Sequence, residues 1–131
     1  MKISLNLNAG SAQASSRFYV DELKLFKIDA RSTDGACCAI SAIGNDEVTI
    51  NLGPQFKRQS EFSLFSLEVD NCDRELERLR KCRFESGGRV VPDKNGQLNI
   101  FEWPGGKNFM LEDPAGNRFL LEEDYTKDAE E

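Results

Sequence analysis

The fold of this chain is decided by one stretch near its end, FMLEDPAGNRFLLE at residues 109–122. Two apolar segments of strand-forming residues flank the sequence Asp113-Pro114-Ala115-Gly116. Proline fixes φ at the second position of a reverse turn, and glycine accepts the positive φ that such turns often need. The stretch therefore predicts two final strands joined by a tight turn.

The second half of the chain leads up to this pair of strands through a strand and a helix. Residues 62–69 read as a strand, and Asp70 or Asn71 caps a helix. The apolar face of this helix is formed by Cys72, Leu76, Leu79 and Cys82. Turns rich in glycine separate three further strands, which are expected near 89–91, 108–112 and 118–123.

The first half has the same order of elements. Alternation of apolar and polar residues predicts a strand at 3–8, and Ser11 caps a helix that runs to about Glu22. Strands follow at 24–28, 36–40 and 47–52, before Gly53-Pro54 closes this half. The sequence thus predicts the α+β class, with two βαβββ modules.

The predicted modules form a single domain over residues 1–131, because one module cannot cover both faces of its sheet. The first module spans 1–53 and the second 62–123, with a polar connector at 54–61 and a charged tail at 124–131. The connector is long enough for the two modules of one chain to meet each other or those of a second copy.

Composition excludes several classes of function. A net charge of −6 argues against a nucleic-acid binder, which needs a basic surface. The absence of histidine excludes a Ser-His-Asp or Cys-His catalytic unit and any imidazole metal ligand. Apolar runs are far shorter than the roughly 20 residues that span a membrane, and the N-terminus has no long apolar region typical of a secretory signal.

The four cysteines, at 37, 38, 72 and 82, match no common zinc spacing and no disulfide framework. Reduced thiols that pack as small hydrophobic residues in a cytoplasmic protein are the expected state.

The quoted segments resemble the vicinal oxygen chelate superfamily, which includes glyoxalase I, extradiol dioxygenases and bleomycin-resistance proteins. The resemblance is carried by Asn6–Gly10, Arg17-Phe18-Tyr19, Leu67–Asp70 and above all residues 109–122. It implies two sheets that curl around a common groove and, in the metal enzymes, four ligands on groove-facing strands. Those four positions fall here on Ser4, Asn51, Leu64 and Leu120. Such a set lacks carboxylates and imidazoles, so we expect a metal-independent member without a cofactor.

Strand alternation gives a list of groove residues independently of the resemblance. If Ile3, Leu5 and Leu7 pack inward, Ser4, Asn6 and Asn8 face the groove. The same reasoning selects Thr49, Asn51, Leu64, Ser66, Glu68, Arg118, Leu120 and Glu122. Trp103 is the best single contact, since ligand pockets favour aromatic walls, and Phe56 is a weaker one. Each residue also has a plain structural interpretation; Arg118 and Glu122, for example, could simply pair with each other.

The predicted ligand-binding residues are therefore Ser4, Asn6, Asn51, Leu64, Glu68, Trp103, Arg118, Leu120 and Glu122. The preferred hypothesis is a homodimeric protein that sequesters a cationic or planar small molecule. One alternative is a metal-free enzyme in which Glu68 or Glu122 is the general base and Arg118 stabilises negative charge. Another is an accessory protein with a vestigial groove.

Overall fold

The structure is a computed structural model that describes residues 2–29, 38–57 and 63–126. The first module forms a mixed sheet with the strand order β1-β4-β3-β2. Its strands are β1 (Ile3–Asn8), β2 (Phe26–Ile28), β3 (Cys38–Ala42) and β4 (Asn45–Gly53). Strands β1 and β4 are parallel, and the other neighbours are antiparallel.

The second module forms a sheet with the order β5-β9-β8-β6, in which β7 also pairs with β8. Its strands are β5 (Ser66–Glu68), β6 (Arg89–Val90), β7 (Phe101–Trp103), β8 (Gly106–Glu112) and β9 (Arg118–Asp124). As in the first sheet, the first and last strands are parallel neighbours. The two sheets confirm the predicted α+β class.

Among the described residues each module has one α-helix; the predicted cap Ser11 is confirmed, and of the two alternatives Asp70 and Asn71 the cap is Asn71. Helix α1 (Ala12–Ser16) starts at Ser11, whose Oγ accepts a hydrogen bond from the backbone N–H of Ala14 at 3.1 Å. Helix α2 (Cys72–Arg80) starts at Asn71, whose side chain accepts from the N–H of Arg74 at 3.0 Å. Each cap satisfies a backbone donor that the first turn of a helix leaves free.

One buried cluster of side chains joins the two modules. It includes Leu7, Ile50 and Leu52 from the first sheet and Leu111, Phe119 and Leu121 from the second, with Phe18 and Tyr19 of the first helical segment. The ring centroids of Tyr19 and Phe119 are 5.6 Å apart in a stacked arrangement. Since both sheets turn their apolar sides to this core, their polar sides face away from it.

The Asp-Pro-Ala-Gly-Asn turn locks the modules together. The Asp113 carboxylate is buried and accepts hydrogen bonds from the backbone N–H groups of Ala115 and Asn117 at 3.0 and 2.9 Å. It also accepts from the Tyr19 hydroxyl and the Asn117 amide, each at 2.8 Å. Asn117 in turn donates to the carbonyl of Asn8 at 2.8 Å. The most specific motif of the sequence is therefore a structural clamp.

Several element bounds differ from the prediction. The α-helix ends at Ser16 and continues as a π-helical segment, Arg17–Glu22. Strand β7 was not predicted, and the expected strands at 24–28 and 62–69 are shorter, Phe26–Ile28 and Ser66–Glu68. Residues 36, 37, 62 and 127–131, which belong to two predicted strands and the tail, lie outside the described residues.

Burial departs from simple alternation at the ends of strands. Ile3 is 50% exposed although it lies on the apolar side of β1, because the core cluster begins only at Leu5 and Leu7. Cys38, Cys72 and Cys82 are free thiols, and burial raises the pKa of Cys72 to about 11. No described helix has both the length and the apolar character needed to cross a membrane.

Candidate functional site

The second sheet has a polar side. On this side, residues that lie opposite each other on neighbouring strands form three rows, which run across the strands. The acidic row consists of Glu68, Glu122, Asn108 and Phe101. The apolar row consists of Ser66, Leu120, Met110 and Val91. The arginine row consists of Leu64, Arg118, Glu112 and Arg89. We call these rows, with Trp103 beside Phe101, the open face.

Two carboxylates meet in the acidic row. Glu68 and Glu122 are directly opposite each other on the parallel strands β5 and β9, so their side chains leave the sheet side by side. Within the part of the chain that the structure describes, neither carboxylate has a hydrogen-bond or ion-pair partner. Glu68 is exposed and Glu122 is half-buried. The row therefore carries two negative charges that water or a ligand can neutralise.

An aromatic pair closes the acidic row at its β7 end. Phe101 and Trp103 lie two residues apart on one side of β7, with ring centroids 6.1 Å apart and planes inclined by 23°. Gly105 and Gly106 leave room for the indole: a Cβ added there would lie 2.9 Å from Nε1 and 3.1 Å from Cζ2, respectively. Phe101 is 66% exposed, an unusual state for a large apolar ring. The pair offers a flat aromatic surface next to two acids.

The arginine row is held by one carboxylate between two guanidinium groups. Glu112 accepts a hydrogen bond from Nε of Arg89 at 2.9 Å and from Nε of Arg118 at 2.8 Å. The hydrogen bond from Arg89 is the main cause that lowers the pKa of Glu112 below its usual value. The cluster has a net charge of +1, as two arginines share one acid.

The interpretation that Arg118 pairs with Glu122 is wrong. Arg118 lies directly opposite Glu112 on β8, whereas Glu122 is four residues further along the same strand. Four residues of strand span about 13 Å, beyond the reach of this ion pair.

The first sheet presents a smaller polar surface. Ser4 and Asn6 lie on β1, and Asn6 is opposite Asn51 of β4. The Asn51 amide donates to the side-chain oxygen of Asn6 at 3.0 Å. Asn8, on the same side, donates to the carbonyl of Phe56 at 2.9 Å. These amides have partners within the chain, but Ser4 and Asn6 remain exposed.

The structure brings the nine predicted binding residues together as two separate groups. Leu64, Glu68, Trp103, Arg118, Leu120 and Glu122 share the open face of the second sheet. Ser4, Asn6 and Asn51 lie on the first sheet. No hydrogen bond or ion pair between described residues joins the two groups.

The four positions to which the resemblance assigns metal ligands, Ser4, Asn51, Leu64 and Leu120, carry a weak donor set. Leu64 and Leu120 have no side-chain donor, and the amide nitrogen of Asn51 is bonded to Asn6. Throughout residues 2–29, 38–57 and 63–126, no three Cys, Asp or Glu side chains converge in a way that could hold a metal ion. Divalent cations need several carboxylate or imidazole donors, so these residues do not fit one.

An apolar cavity of about 520 Å³ lies between β1 and β5, which are the edge strands of their sheets. It borders the open face, because Ser66 and Glu68 also line it. The apolar part of its lining comes from both modules and includes Leu5, Phe26, Val48, Phe65 and Leu67. Alternation along single strands predicts no such cavity, because it arises where two sheets diverge. Exposed Ile3 and Ile43 also line it.

Solved structures with the same architecture place the chain among known folds. One is TnmS3, an antibiotic binding protein from Streptomyces sp. CB03234, with a TM-score of 0.71, 20% identity and 95% of each chain covered. The chain has the glyoxalase/bleomycin-resistance fold. A superfamily member from Sphaerobacter thermophilus superposes with a TM-score of 0.67 at 19% identity, covering 95% of this chain and 97% of that one.

A third structure with this fold contains a ligand. It is the bleomycin-binding protein from Streptomyces verticillus complexed with copper(II)-bleomycin, with a TM-score of 0.60 and 21% identity over 92% of this chain and 93% of that one. No protein-family model matches the chain, and no curated protein does. At these identities the likeness establishes the fold alone.

Sequence reasoning missed three members of the open face that carry charge or aromatic surface. Phe101 was overlooked because β7 is only three residues long and precedes a Pro-Gly-Gly turn. Arg89 and Glu112 join Arg118 through the register of β6, β8 and β9, which one sequence does not specify. The alternation of residues 108–112 would have placed Asn108, Met110 and Glu112 on one face.

Proposed function

We propose that this protein binds a planar, cationic small molecule on the open face and sequesters it without a chemical step. The observation that carries the proposal is the stacked pair Phe101 and Trp103 at one end of a row that also holds Glu68 and Glu122. The antibiotic-binding and bleomycin-binding proteins that share the fold support it by analogy.

The physical basis is complementary charge beside aromatic surface. A flat cation that stacks on an aromatic ring gains about 0.5–2 kcal/mol, according to how much water it loses. Two carboxylates in the same row add attraction that speeds capture and weakens with salt. The negative net charge of −6 acts in the same direction at longer range.

We further propose that binding is independent of metal. The donor set supports this, since Leu64 and Leu120 supply no ligand atom and Ser4 and Asn51 supply no charge. A divalent cation placed among them would lose its hydration shell without compensation. The affinity of the protein for its ligand should accordingly be the same with and without a strong chelator.

We also propose that the working form is a twofold dimer. No hydrogen bond or ion pair between described residues links Ser4, Asn6 and Asn51 to the open face within one chain, so we infer that the second sheet of one copy and the first sheet of another form the two walls of a groove. The exposed residues Ile3 and Ile43, 50% and 60% exposed, surround the cavity between the two edge strands and supply apolar area for contact.

Sedimentation equilibrium tests the dimer. Ile43→Lys should weaken the dimer, whereas Ile28→Lys, at a residue 51% exposed on the far edge strand β2, should not. A wild-type monomer at micromolar concentration, or an equal effect of the two substitutions, would contradict this arrangement.

A titration with acridine orange, a planar cation, tests binding itself. Trp103 is the only tryptophan, so its fluorescence reports on the aromatic end of the face. We expect quenching and a raised melting temperature, and about tenfold weaker binding in the double variant Glu68→Gln/Glu122→Gln. The matched control Glu77→Gln/Glu85→Gln removes two acids that pair with cations near the helices.

Two results would contradict the proposal. One is the absence of quenching and stabilisation across a panel of planar cations and antibiotics. The other is equal affinity in the acidic-row variant and its control. Turnover of a panel compound in the presence of chelator, abolished by Glu122→Gln, would instead favour the metal-free enzyme.

A further inference from the structure

The open face is electrically polarised along its strands. The acidic row carries two negative charges, from Glu68 and Glu122. At the other end, Arg89 and Arg118 share Glu112, which leaves one positive charge. The apolar row with Leu120 and Met110 separates the two ends. Since the rows are four residues apart on β9, the opposite charges are separated by about 13 Å.

The arginine row has unused donors. Both guanidinium groups reach Glu112 through Nε, a single contact for each arginine. In the part of the chain described by the structure, the Nη atoms of Arg89 and Arg118 have no hydrogen-bond partner. The two side chains are 47% and 26% exposed, so a ligand can reach them. Guanidinium groups bind carboxylates well because their N–H groups form a planar fork.

A purely structural role does not explain why Glu112 has two arginine partners. One arginine opposite Glu112 would balance its charge and connect two strands, yet the second leaves the cluster cationic in a protein with a net charge of −6. The excess charge also lies on the side of the sheet that holds the aromatic pair, at the opposite end. This arrangement is complementary to a molecule with unlike charges at its two ends.

We propose that the open face binds a zwitterionic small molecule with a planar cation at the acidic row and a carboxylate at Arg89 and Arg118, about 13 Å away. The apolar row contacts the spacer between the two charges. This inference rests on the proposed function, because it assumes that the planar cation lies against Phe101 and Trp103. It adds the ligand's second charge and its orientation along the strands.

A matched pair of probes tests the inference. One probe is acridine orange alkylated at the ring nitrogen with a carboxyheptyl chain, and the other is the methyl ester of the same compound. Both carry the planar cation, and only the acid carries the carboxylate. We expect the acid to bind the wild-type protein about tenfold more tightly than the ester, the gain typical of a charge-assisted hydrogen bond.

Arginine variants locate the carboxylate. In Arg89→Gln/Arg118→Gln the preference for the acid over the ester should disappear, because the fork that binds the carboxylate is gone. Arg17→Gln removes an exposed cation of the π-helical segment, paired with Glu85, and should keep the tenfold preference. Thermal unfolding of each variant checks that it is folded. In the wild-type protein, added salt should reduce the preference for the acid, which requires no variant.

The outcomes separate the two proposals. If both probes bind the wild-type protein with equal affinity, the zwitterion is wrong and the planar cation stands. A preference for the acid that survives in the double arginine variant places the carboxylate elsewhere and overturns the inference. If neither probe binds, the proposed function fails together with the inference.

Discussion

Tyr19→Phe removes one oxygen from the core and tests the clamp between the modules. The Tyr19 hydroxyl is fully buried and donates to Asp113 at 2.8 Å. Asp113 keeps three other donors, from Asn117 and Ala115. The ring itself, stacked 5.6 Å from Phe119, is unchanged by the substitution. The variant therefore isolates a single hydrogen bond between the first module and the turn of the second.

The expected cost follows from the charge of the acceptor. A hydrogen bond to a charged group contributes about 1.5–3 kcal/mol to the free energy of unfolding. For a domain of this length, 1 kcal/mol corresponds to roughly 3–5 °C in Tm. Tyr19→Phe should accordingly lower Tm by about 5–15 °C.

The loss in free energy of unfolding caused by Tyr19→Phe should depend on pH. Burial raises the pKa of Asp113 above its usual 3.8, against the hydrogen bonds from Asn117 and Tyr19 that lower it. The folded state thus holds this proton more tightly than the unfolded chain, and the contribution of Asp113 to stability falls as pH rises through the window above 3.8. Loss of the Tyr19 donor raises the folded pKa further, so the variant loses more stability at neutral than at acid pH.

Urea unfolding of both proteins at about pH 7 and about pH 4 measures this difference. Tyr125→Phe is the control, since the Tyr125 hydroxyl bonds to Glu102 at the exposed surface. Its cost should stay below about 0.5 kcal/mol. A cost of Tyr19→Phe as small as that of the control, or one that is larger at acid pH, would refute the reasoning.

Two further predictions concern the second sheet. Arg89 and then Arg118 hold the pKa of Glu112 below its usual 4.5, so the stability this carboxylate contributes is present above 4.5 and is lost as pH falls below it. Glu112→Gln should cost about 1–2 kcal/mol in urea unfolding at neutral pH and nothing once Glu112 is protonated; an equal cost at both would contradict this. A Cβ at Gly106 would lie 2.3 Å from the backbone oxygen of Glu123, whereas one at Gly10 would have no atom within 4 Å. Gly106→Ala should cost about 2 kcal/mol or more in thermal unfolding and Gly10→Ala less than about 1 kcal/mol, and similar melting temperatures would disprove the steric argument.

Strand periodicity explains why so much of the open face was predictable. Side chains alternate with a period of two, so an apolar side that packs on a core fixes the opposite side. Residues 118–122 place Phe119 and Leu121 in the core and therefore Leu120 and Glu122 on the open face. The turn at Asp113 could also be predicted from the sequence, because proline and glycine favour turn conformations there.

Pairing across strands could not be read from the sequence. Glu122 is nearer than Glu112 to Arg118 in the chain, yet the register of β8 against β9 makes Glu112 the partner. Strand β7 is defined by three cross-strand pairs with β8. The local sequence around Phe101 and Trp103 is equally compatible with a loop. In the π-helical segment, Phe18 and Tyr19 pack against Phe119 of the second module, a long-range contact that the local sequence does not specify.

The direction of the two polar surfaces was also beyond the sequence. Alternation predicts that Ser4, Asn6 and Asn51 lie on one side of the first sheet. It does not predict what that side faces. That depends on how both apolar sides meet in one core. The resemblance implies a single groove, and we propose that two copies of the chain form it together.

The most direct test of the central claim is an amide chemical-shift map of the protein with acridine orange added. We expect the largest shift changes at the acidic row and Trp103, with smaller ones at Asn6 and Asn51 from a second copy. Changes centred instead on Leu5, Val48 and Phe65, around the apolar cavity, would contradict it. So would a spectrum that the cation leaves unchanged at saturating concentration.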